Sequence, residues 1–126
     1  MILDAGVLIS IDRGEEQAGA TLRAFEQAGE RMATTEPVLA QVWRDGARQA
    51  RLARALQEVE IRPFTEGRRV GLLLGASGTR DVVDAHLVLV AVQTGEAILT
   101  GDPDDLGRLA ATFGERAPVI HPWPVI

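Results

Sequence analysis

Residues 79–102, TRDVVDAHLVLVAVQTGEAILTGD, decide how this chain folds. The part up to Gly95 is apolar on nearly every side of a helix, which predicts a helix that is buried all round. The β-rich residues at 87–92 also fit a strand, but the length of the segment and its glycine stop favour a helix. AILTGD, residues 97–102, predicts the strand that follows.

Strands and helices alternate along the rest of the chain. The other predicted strands are MILD (1–4), RMAT (31–34), VEIRPF (59–64) and APVIHP (117–122). The other predicted helices cover 14–29 with Gly29 as a stop, 35–46 with Thr35 as N-cap and Gly46 beyond the end, 47–59, 65–78 with Thr65 as a cap, and 104–114. This alternation in 126 residues predicts one α/β domain, residues 1–126, with a central parallel sheet covered by helices on both faces.

Composition narrows the class of protein. The chain has no cysteine, which excludes disulfides, thiolate chemistry and cysteine-bound zinc. The net charge of −5 argues against a protein that binds nucleic acid through a broad positive surface. It does not exclude an enzyme that binds phosphate through metal ions, because those ions reverse the local charge. No basic leader precedes the first apolar run, and the longest apolar stretch is too short to span a bilayer. We therefore expect a cytoplasmic protein without membrane contact.

Aspartates stand where predicted strands end and helices begin. Asp4 ends the first strand, Asp102 follows AILT, and Asp81 and Asp84 open the buried helix. In parallel sheets, ligands collect outside the carboxyl ends of the strands at a topological switch point. Carboxylates gathered there raise one another's pKa unless a cation is present, and oxygen-only ligands select Mg²⁺ or Mn²⁺. These residues therefore form a candidate metal site for phosphoryl-transfer chemistry.

Helix capping is the alternative explanation for the same aspartates. Asp4 can cap a helix that starts at Ala5, Asp81 can be an N-cap, and Asp102 can cap a helix after Pro103. Taken one at a time, capping is the better explanation for each residue. Taken together on one edge, these positions shift the balance toward a shared site.

The order of these motifs resembles that of the PIN-domain nucleases, and among them the VapC-like toxins of bacterial toxin–antitoxin pairs. MILDAGVLI is similar to the family's opening strand with its first acid, and PVLAQVW to the helix that follows the second strand. DAHLVLVAV is similar to the acid-led buried helix, and ILTGDPDDL to the strand that ends in Thr-x-Asp. The likeness runs along nearly the whole chain and implies a three-layer α/β/α sandwich of PIN type.

The resemblance implies roles for individual residues. Asp4, Asp84 and Asp102 match the catalytic acids that hold Mg²⁺ or Mn²⁺, and Thr100 matches the hydroxyl residue that supports them. Asp81 is an additional supporting acid, one turn away. The implied activity is cleavage of RNA phosphodiester bonds, and the implied partners are an RNA substrate, a small antitoxin and a second copy of the chain in a homodimer.

Gln41 departs from the family pattern. It stands in PVLAQVW where the family has a glutamate, and an amide oxygen is a weaker ligand for a hard cation than a carboxylate. Glu36 lies at a different angle on the same helix, about 140° away, and replaces Gln41 only if the register is shifted. A catalytically weakened PIN-fold protein that binds RNA or protein therefore stays open beside the nuclease. A receiver-domain reading needs a lysine at a later strand end, and the chain has none.

Arg44, Arg48, Arg51 and Arg54 recur at intervals of three and four across the helices at 35–59. They form either a rail for an RNA backbone or a solvated face beside nearby glutamates, and an acidic partner segment is a third reading. His86 is expected to be a packed or surface histidine rather than a ligand, and His121 to be structural. Trp43 and Trp123 are too few and too far apart for a base-stacking platform, which favours packing roles.

Overall fold

The computed structural model describes residues 1–124, and its centre is a five-stranded sheet in which all neighbouring strands are parallel. The strands are β1 (Ile2–Leu3), β2 (Met32–Thr35), β3 (Val59–Arg62), β4 (Ile98–Thr100) and β5 (Ile120–Pro122). Their spatial order is β3-β2-β1-β4-β5. The predicted class, a parallel α/β sheet, is confirmed.

Helices flank this sheet in the α/β/α arrangement that the sequence predicts. They are α1 (Ala5–Asp12), α2 (Glu16–Gln27), α3 (Glu36–Val42), α4 (Ala50–Leu56), α5 (Gly67–Ser77), α6 (Val82–Thr94) and α7 (Pro103–Ala111), and a short 3-10 turn follows at Gly114–Arg116. Among residues 1–124, no helix is long and apolar enough to cross a membrane.

The order of the strands in the sheet reverses between β1 and β4. From β1 it adds β2 and β3 toward one edge, and it then returns to lay β4 on the other side of β1. Ile2 pairs with Ile98 and Leu3 with Leu99, so the two strands end level with each other. This is the switch point at which open α/β sheets bind their ligands.

The α6 helix lies in the core, as its apolar sequence predicts. Every residue from Ala85 to Ala91 is buried, including His86. The β1 and β4 strands are also fully buried, which explains why two and three residues suffice to form them. The helix ends at Gly95, whose φ of 69° is a left-handed conformation that glycine adopts without steric cost.

The predicted end of the helix at 35–46 is wrong. The sequence predicts a helix that ends just before Gly46, but α3 stops at Val42, where the buried side chain of Gln49 closes it. The Gln49 amide donates to the Val42 carbonyl at 2.9 Å, and its oxygen accepts the backbone N–H groups of Arg44 and Asp45. A side chain from beyond the helix thus satisfies groups at its end.

The predicted cap at Thr65 is also wrong. Helix α5 begins at Gly67, and its N-cap is Glu66 in a left-handed conformation with φ of 59°. Thr35, in contrast, caps α3 as predicted, since its hydroxyl accepts the Val38 N–H at 3.3 Å. The remaining predicted bounds differ from the observed ones by a few residues at most.

Candidate active site

Asp4 and Thr100 meet at the switch point. They follow Leu3 and Leu99, which are register partners, and the Thr100 hydroxyl donates to Asp4 Oδ2 at 2.7 Å. The same hydroxyl oxygen accepts the backbone N–H of Asp102 at 2.9 Å. Thr100 is fully buried, so its position is set by the core. One threonine therefore fixes both the carboxylate of Asp4 and the backbone that carries Asp102.

Asp4 is a buried carboxylate with only 5% of its surface exposed. Burial raises its pKa above the usual value, hydrogen bonds from Thr100 and from the Ala5 N–H oppose that rise, and the charges of Asp102 and Asp81 add to it. The Ala5 N–H lies 2.7 Å from Oδ1, so Asp4 also caps α1. Asp4 therefore both caps α1 and lies near other aspartates.

Asp81 and Asp84 belong to the start of α6. Asp81 is the N-cap, and its Oδ1 accepts the Asp84 N–H at 3.0 Å. Burial, and then the charges of Asp81, Asp4, Asp102 and Asp105, raise the pKa of Asp84 to about 7. These charges lie at the ends of β1 and β4 and at the start of α6, so the sequence-predicted acids share the carboxyl end of the sheet. We call Asp4, Asp81, Asp84 and Asp102 the acid cluster.

Asp102 lies at the N-terminus of α7, two residues beyond β4. Its side chain is exposed and makes no capping hydrogen bond, so capping does not account for it. In residues 1–124 the carboxylates of Asp84 and Asp102 accept no hydrogen bond from the protein. Both carboxylates are therefore available to a ligand.

Gln41 is exposed on α3, next to the buried Val42. Helix α3 packs against α1 and α6, whose first residues adjoin Asp4 and Asp84. Within the described chain the Gln41 amide has no hydrogen-bond partner, and Glu36 is exposed in the first turn of the same helix. The structure thus puts Gln41 on a helix that borders the acid cluster, and within residues 1–124 its side chain makes no hydrogen bond to the aspartates.

The arginines at 44–54 make separate contacts within the chain. Arg44 donates to the carbonyls of Ala40 and Trp43, and Arg48 pairs with Asp45 at 3.7 Å. Arg51 lies over Gly14, beyond the end of α1 opposite Asp4. Arg54 lines a groove with glutamates that include Glu58.

Two arginines outside the predicted set lie beside the acids. Arg80 and Arg108 line a groove of about 310 Å³ together with Asp81, Asp84 and Asp105. Arg80 precedes Asp81 directly, a nearness visible in the sequence. Arg108 joins it only because α7 packs against α6.

Trp123 packs beside Thr100 and α1. Its backbone N–H donates to the Thr100 carbonyl at 2.7 Å, and its indole N–H donates to Ser10 Oγ at 3.0 Å. The ring is buried and packs over Gly6, where a Cβ would lie 3.9 Å from Cδ1. The packing role expected for this tryptophan is confirmed.

His86 is buried on α6 with its ring against Phe64, at a centroid distance of 4.7 Å. Burial lowers its pKa, while the Glu66 charge and the Pro63 carbonyl oppose the change. It is thus the packed histidine that the sequence predicts. His121 is exposed in β5, where it pairs with Leu99 in the sheet.

The donor chemistry of the acid cluster suits a hard divalent cation, since every candidate ligand is an oxygen. Burial, and to a lesser extent like charges, raise the pKa values of Asp4 and Asp84, and a cation would offset both effects. The ligand geometry is not formed, because no three Asp, Glu or His side chains of residues 1–124 are gathered as a metal site requires. Asp4 Oδ1 and Oδ2 are both engaged by hydrogen bonds.

Solved structures share this fold at low sequence identity. A chain of VapBC2 from Rickettsia felis, bound to a DNA fragment from its promoter, matches with a TM-score of 0.70 and 16% identity over 97% of each chain. A toxin–antitoxin complex from Klebsiella pneumoniae gives 0.67 and 18%, covering 82% of this chain and 88% of that one. PAE2754 from Pyrobaculum aerophilum gives 0.61 and 16%, covering 94% and 81%.

A comparison of this sequence with curated proteins finds no match. The family model of the PIN domain, however, matches residues 1–111, which include every strand but β5 and the whole acid cluster. The chain therefore belongs to the PIN-domain family.

Proposed function

We propose that this chain is a metal-dependent endoribonuclease and the toxin of a toxin–antitoxin pair. The observation that carries the proposal is the acid cluster, in which the Thr100 hydroxyl donates to Asp4 and accepts the Asp102 N–H. Burial, and then the charges of neighbouring aspartates, raise the pKa of Asp84 beside them. A PIN-domain chain with this arrangement at its switch point has the oxygen ligands that Mg²⁺ and Mn²⁺ prefer.

Asp4, Asp84 and Asp102 hold the cation in this proposal. Asp4 would be the fixed ligand because the core positions Thr100, and Asp84 and Asp102 would supply carboxylates that accept no hydrogen bond within residues 1–124. A divalent cation supplies Lewis-acid polarisation of the phosphodiester and lowers the pKa of water, so that hydrolysis proceeds near neutral pH. Binding of the ion also lowers the pKa of Asp84, which keeps that carboxylate charged.

The supporting residues orient these ligands. Asp81 caps α6 and thereby holds the backbone of Asp84, and Thr100 orients Asp4. Gln41 contributes a neutral amide oxygen at the position where the family resemblance implies a glutamate. The missing charge weakens the attraction for the cation but leaves an oxygen ligand in place.

The proposed partners are an RNA substrate, a small antitoxin protein and a second copy of the chain. Two structures of the same fold come from a VapBC2 complex and a toxin–antitoxin complex, which supports an antitoxin partner. The homodimer and a cytoplasmic location extend the proposal from the family resemblance.

A second candidate function is that of a catalytically weakened PIN-fold protein that binds RNA or protein. The specific observation in its favour is Gln41, which removes a negative charge from the predicted ligand set.

The test is Mn²⁺-dependent cleavage of a mixed panel of single-stranded RNAs, with DNAs of the same sequences beside them. The native chain is compared with Asp84→Asn, which keeps the side-chain shape, and with Gln41→Glu, which restores the charge. We expect the native chain to cleave RNA in Mn²⁺ but not in EDTA, and Asp84→Asn to lower the rate by at least about a hundredfold.

The other outcomes separate the two candidates. Cleavage by Gln41→Glu alone means an intact site that is weakened at one position. Cleavage of DNA rather than RNA contradicts the proposed substrate. No cleavage by any of the three proteins favours the binding module over the nuclease.

A further inference from the structure

The groove beside the acid cluster combines both signs of charge. Arg80 lies in the turn between α5 and α6, and Arg108 lies in the last turn of α7. Together with Asp81, Asp84 and Asp105 they line a space of about 310 Å³. We call this space the arginine groove. It opens directly beside Asp84, so an occupant of the groove also reaches the acid cluster.

Neither arginine is neutralised by the acids around it. In residues 1–124, neither the Arg80 nor the Arg108 guanidinium has an ion-pair or hydrogen-bond partner, although carboxylates line the same groove. Elsewhere in the chain, Arg62 pairs with Glu96 and Arg69 with Glu66. Both groove arginines are exposed and therefore free to bind an anion from solution.

The backbone that carries these arginines is held in place. Ahead of Arg80, the Thr79 N–H donates to the Leu74 carbonyl at 3.2 Å, and the Ser77 and Thr79 hydroxyls lie 2.8 Å apart. Directly after it, Asp81 caps α6. Arg108 is anchored by its neighbour Leu109, which is buried in the core. A fixed backbone on both sides limits the entropy lost when the side chains close on a ligand.

We propose that Arg80 and Arg108 bind the backbone phosphate next to the scissile one on a single-stranded RNA. This inference rests on the proposed nuclease function, because it takes the acid cluster as the place of cleavage. The acids repel every phosphate that a cation does not screen, so a strand entering the site requires positive charge immediately beside them. Guanidinium groups supply that charge, and their fork of donors matches phosphate oxygens.

The first test measures binding without cleavage. Fluorescein-labelled single-stranded RNA is titrated in Mg²⁺ with the full chain carrying Asp84→Asn, alone and combined with Arg80→Ala or Arg108→Ala. Each arginine change is expected to weaken binding about tenfold, since a charge-assisted hydrogen bond is lost. Each change also lowers the slope of log K against log salt by about 0.7, the value for one contact to a single strand.

The matched control is Arg31→Ala. Arg31 is exposed and precedes β2, so it lies where the strands begin, whereas the acid cluster lies where they end. Arg31→Ala therefore removes the same charge at a distance from the arginine groove. We expect it to change binding by less than about twofold. An equal loss in all three variants means a general effect of net charge and overturns the inference. Unchanged binding in Arg80→Ala and Arg108→Ala overturns it as well.

The second test measures cleavage with Asp84 intact. Arg80→Ala and Arg108→Ala are expected to raise KM about tenfold with kcat close to the native value, and Arg→Lys changes are expected to recover part of the loss. Cleavage that is native-like in both alanine variants overturns the arginine groove while the nuclease stands. Arginine-dependent RNA binding by a chain that cleaves nothing supports the groove while the nuclease falls. A chain that neither binds nor cleaves RNA contradicts both.

Discussion

The carboxylates at the two ends of α6 have pKa values shifted in opposite directions. Glu96, just beyond the C-terminus, contacts the N-terminal amine at 3.3 Å and pairs with Arg62. Burial opposes the charged form, but hydrogen bonds from Thr94 and Arg62 and the two positive charges hold the pKa of Glu96 below its usual range. For Asp84, in the first turn, burial and then the charges of other aspartates raise the pKa to about 7.

This difference separates an acid that the protein itself neutralises from one that we propose to be functional. The Glu96 end is electrostatically complete within the protein and stabilises the fold. The Asp84 end is incomplete, because burial and nearby carboxylates disfavour the charged form and, within residues 1–124, the Asp84 carboxylate has no ion-pair partner. Strongly perturbed carboxylates at a ligand-binding edge are typical of functional sites, where a bound group supplies the missing charge.

The largest effect on stability is expected from breaking the contacts that join the acid cluster to the core. Thr100→Val keeps the shape of the side chain but leaves Asp4 Oδ2 and the Asp102 N–H without their partner. We expect the free energy of unfolding to fall by about 1–3 kcal/mol, because polar groups stay buried and unpaired. Urea denaturation measures the change.

Thr100→Ser is the control for this prediction, since it restores the hydroxyl without the methyl group. It is expected to recover most of the lost stability and to keep Mn²⁺-dependent cleavage. Equal losses for valine and serine would assign the effect to packing rather than to hydrogen bonding.

A smaller effect is expected from removing the charge at either end of α6. The pKa of Asp84 is about 7 in the folded chain against an ordinary 3.8, so the folded state holds the proton more tightly than the unfolded state. Without metal, stability is therefore greatest below pH 3.8 and is lost progressively as the pH rises to about 7. In EDTA, Asp84→Asn should raise Tm above the native value at pH 8 by a few degrees, about the effect of 1 kcal/mol, and the gain should vanish near pH 4.

Glu96→Gln is the matched comparison, because it removes one charge from the other end of the helix. The lowered pKa of Glu96 contributes stability above its ordinary value of 4.5, and that contribution disappears as the pH falls through the folded value. This variant should be less stable than the native chain at pH 8 and approach it in acid. A pH-independent gain in Asp84→Asn would mean that its charge is not what destabilises the metal-free protein.

Much of the site could be predicted because it follows from topology. In a parallel sheet, Asp4 and Thr100 end neighbouring strands, and Asp84 opens a helix whose apolar sequence requires burial. Local sequence therefore carried the information for the fold class and for the nearness of these residues. Even the caps at Asp81 and Thr35 are local interactions of a few residues.

The features that could not be predicted depend on contacts between distant segments. The end of α3 is set by Gln49, whose side chain returns from the start of α4. Arg108 meets Arg80 only through the packing of α7 on α6. The regular spacing that linked Arg51 to the other arginines carried no information about its contact with Gly14.

The measurement that tests the central claim most directly is calorimetric titration of Mn²⁺ at pH 8 into the native chain, Asp84→Asn and Glu96→Gln. The account predicts saturable binding by the native chain and by Glu96→Gln, and no binding by Asp84→Asn, because the uncompensated carboxylates lie at one end of α6 only. Absence of binding by the native chain, or equal binding by the native chain and Asp84→Asn, would contradict the account.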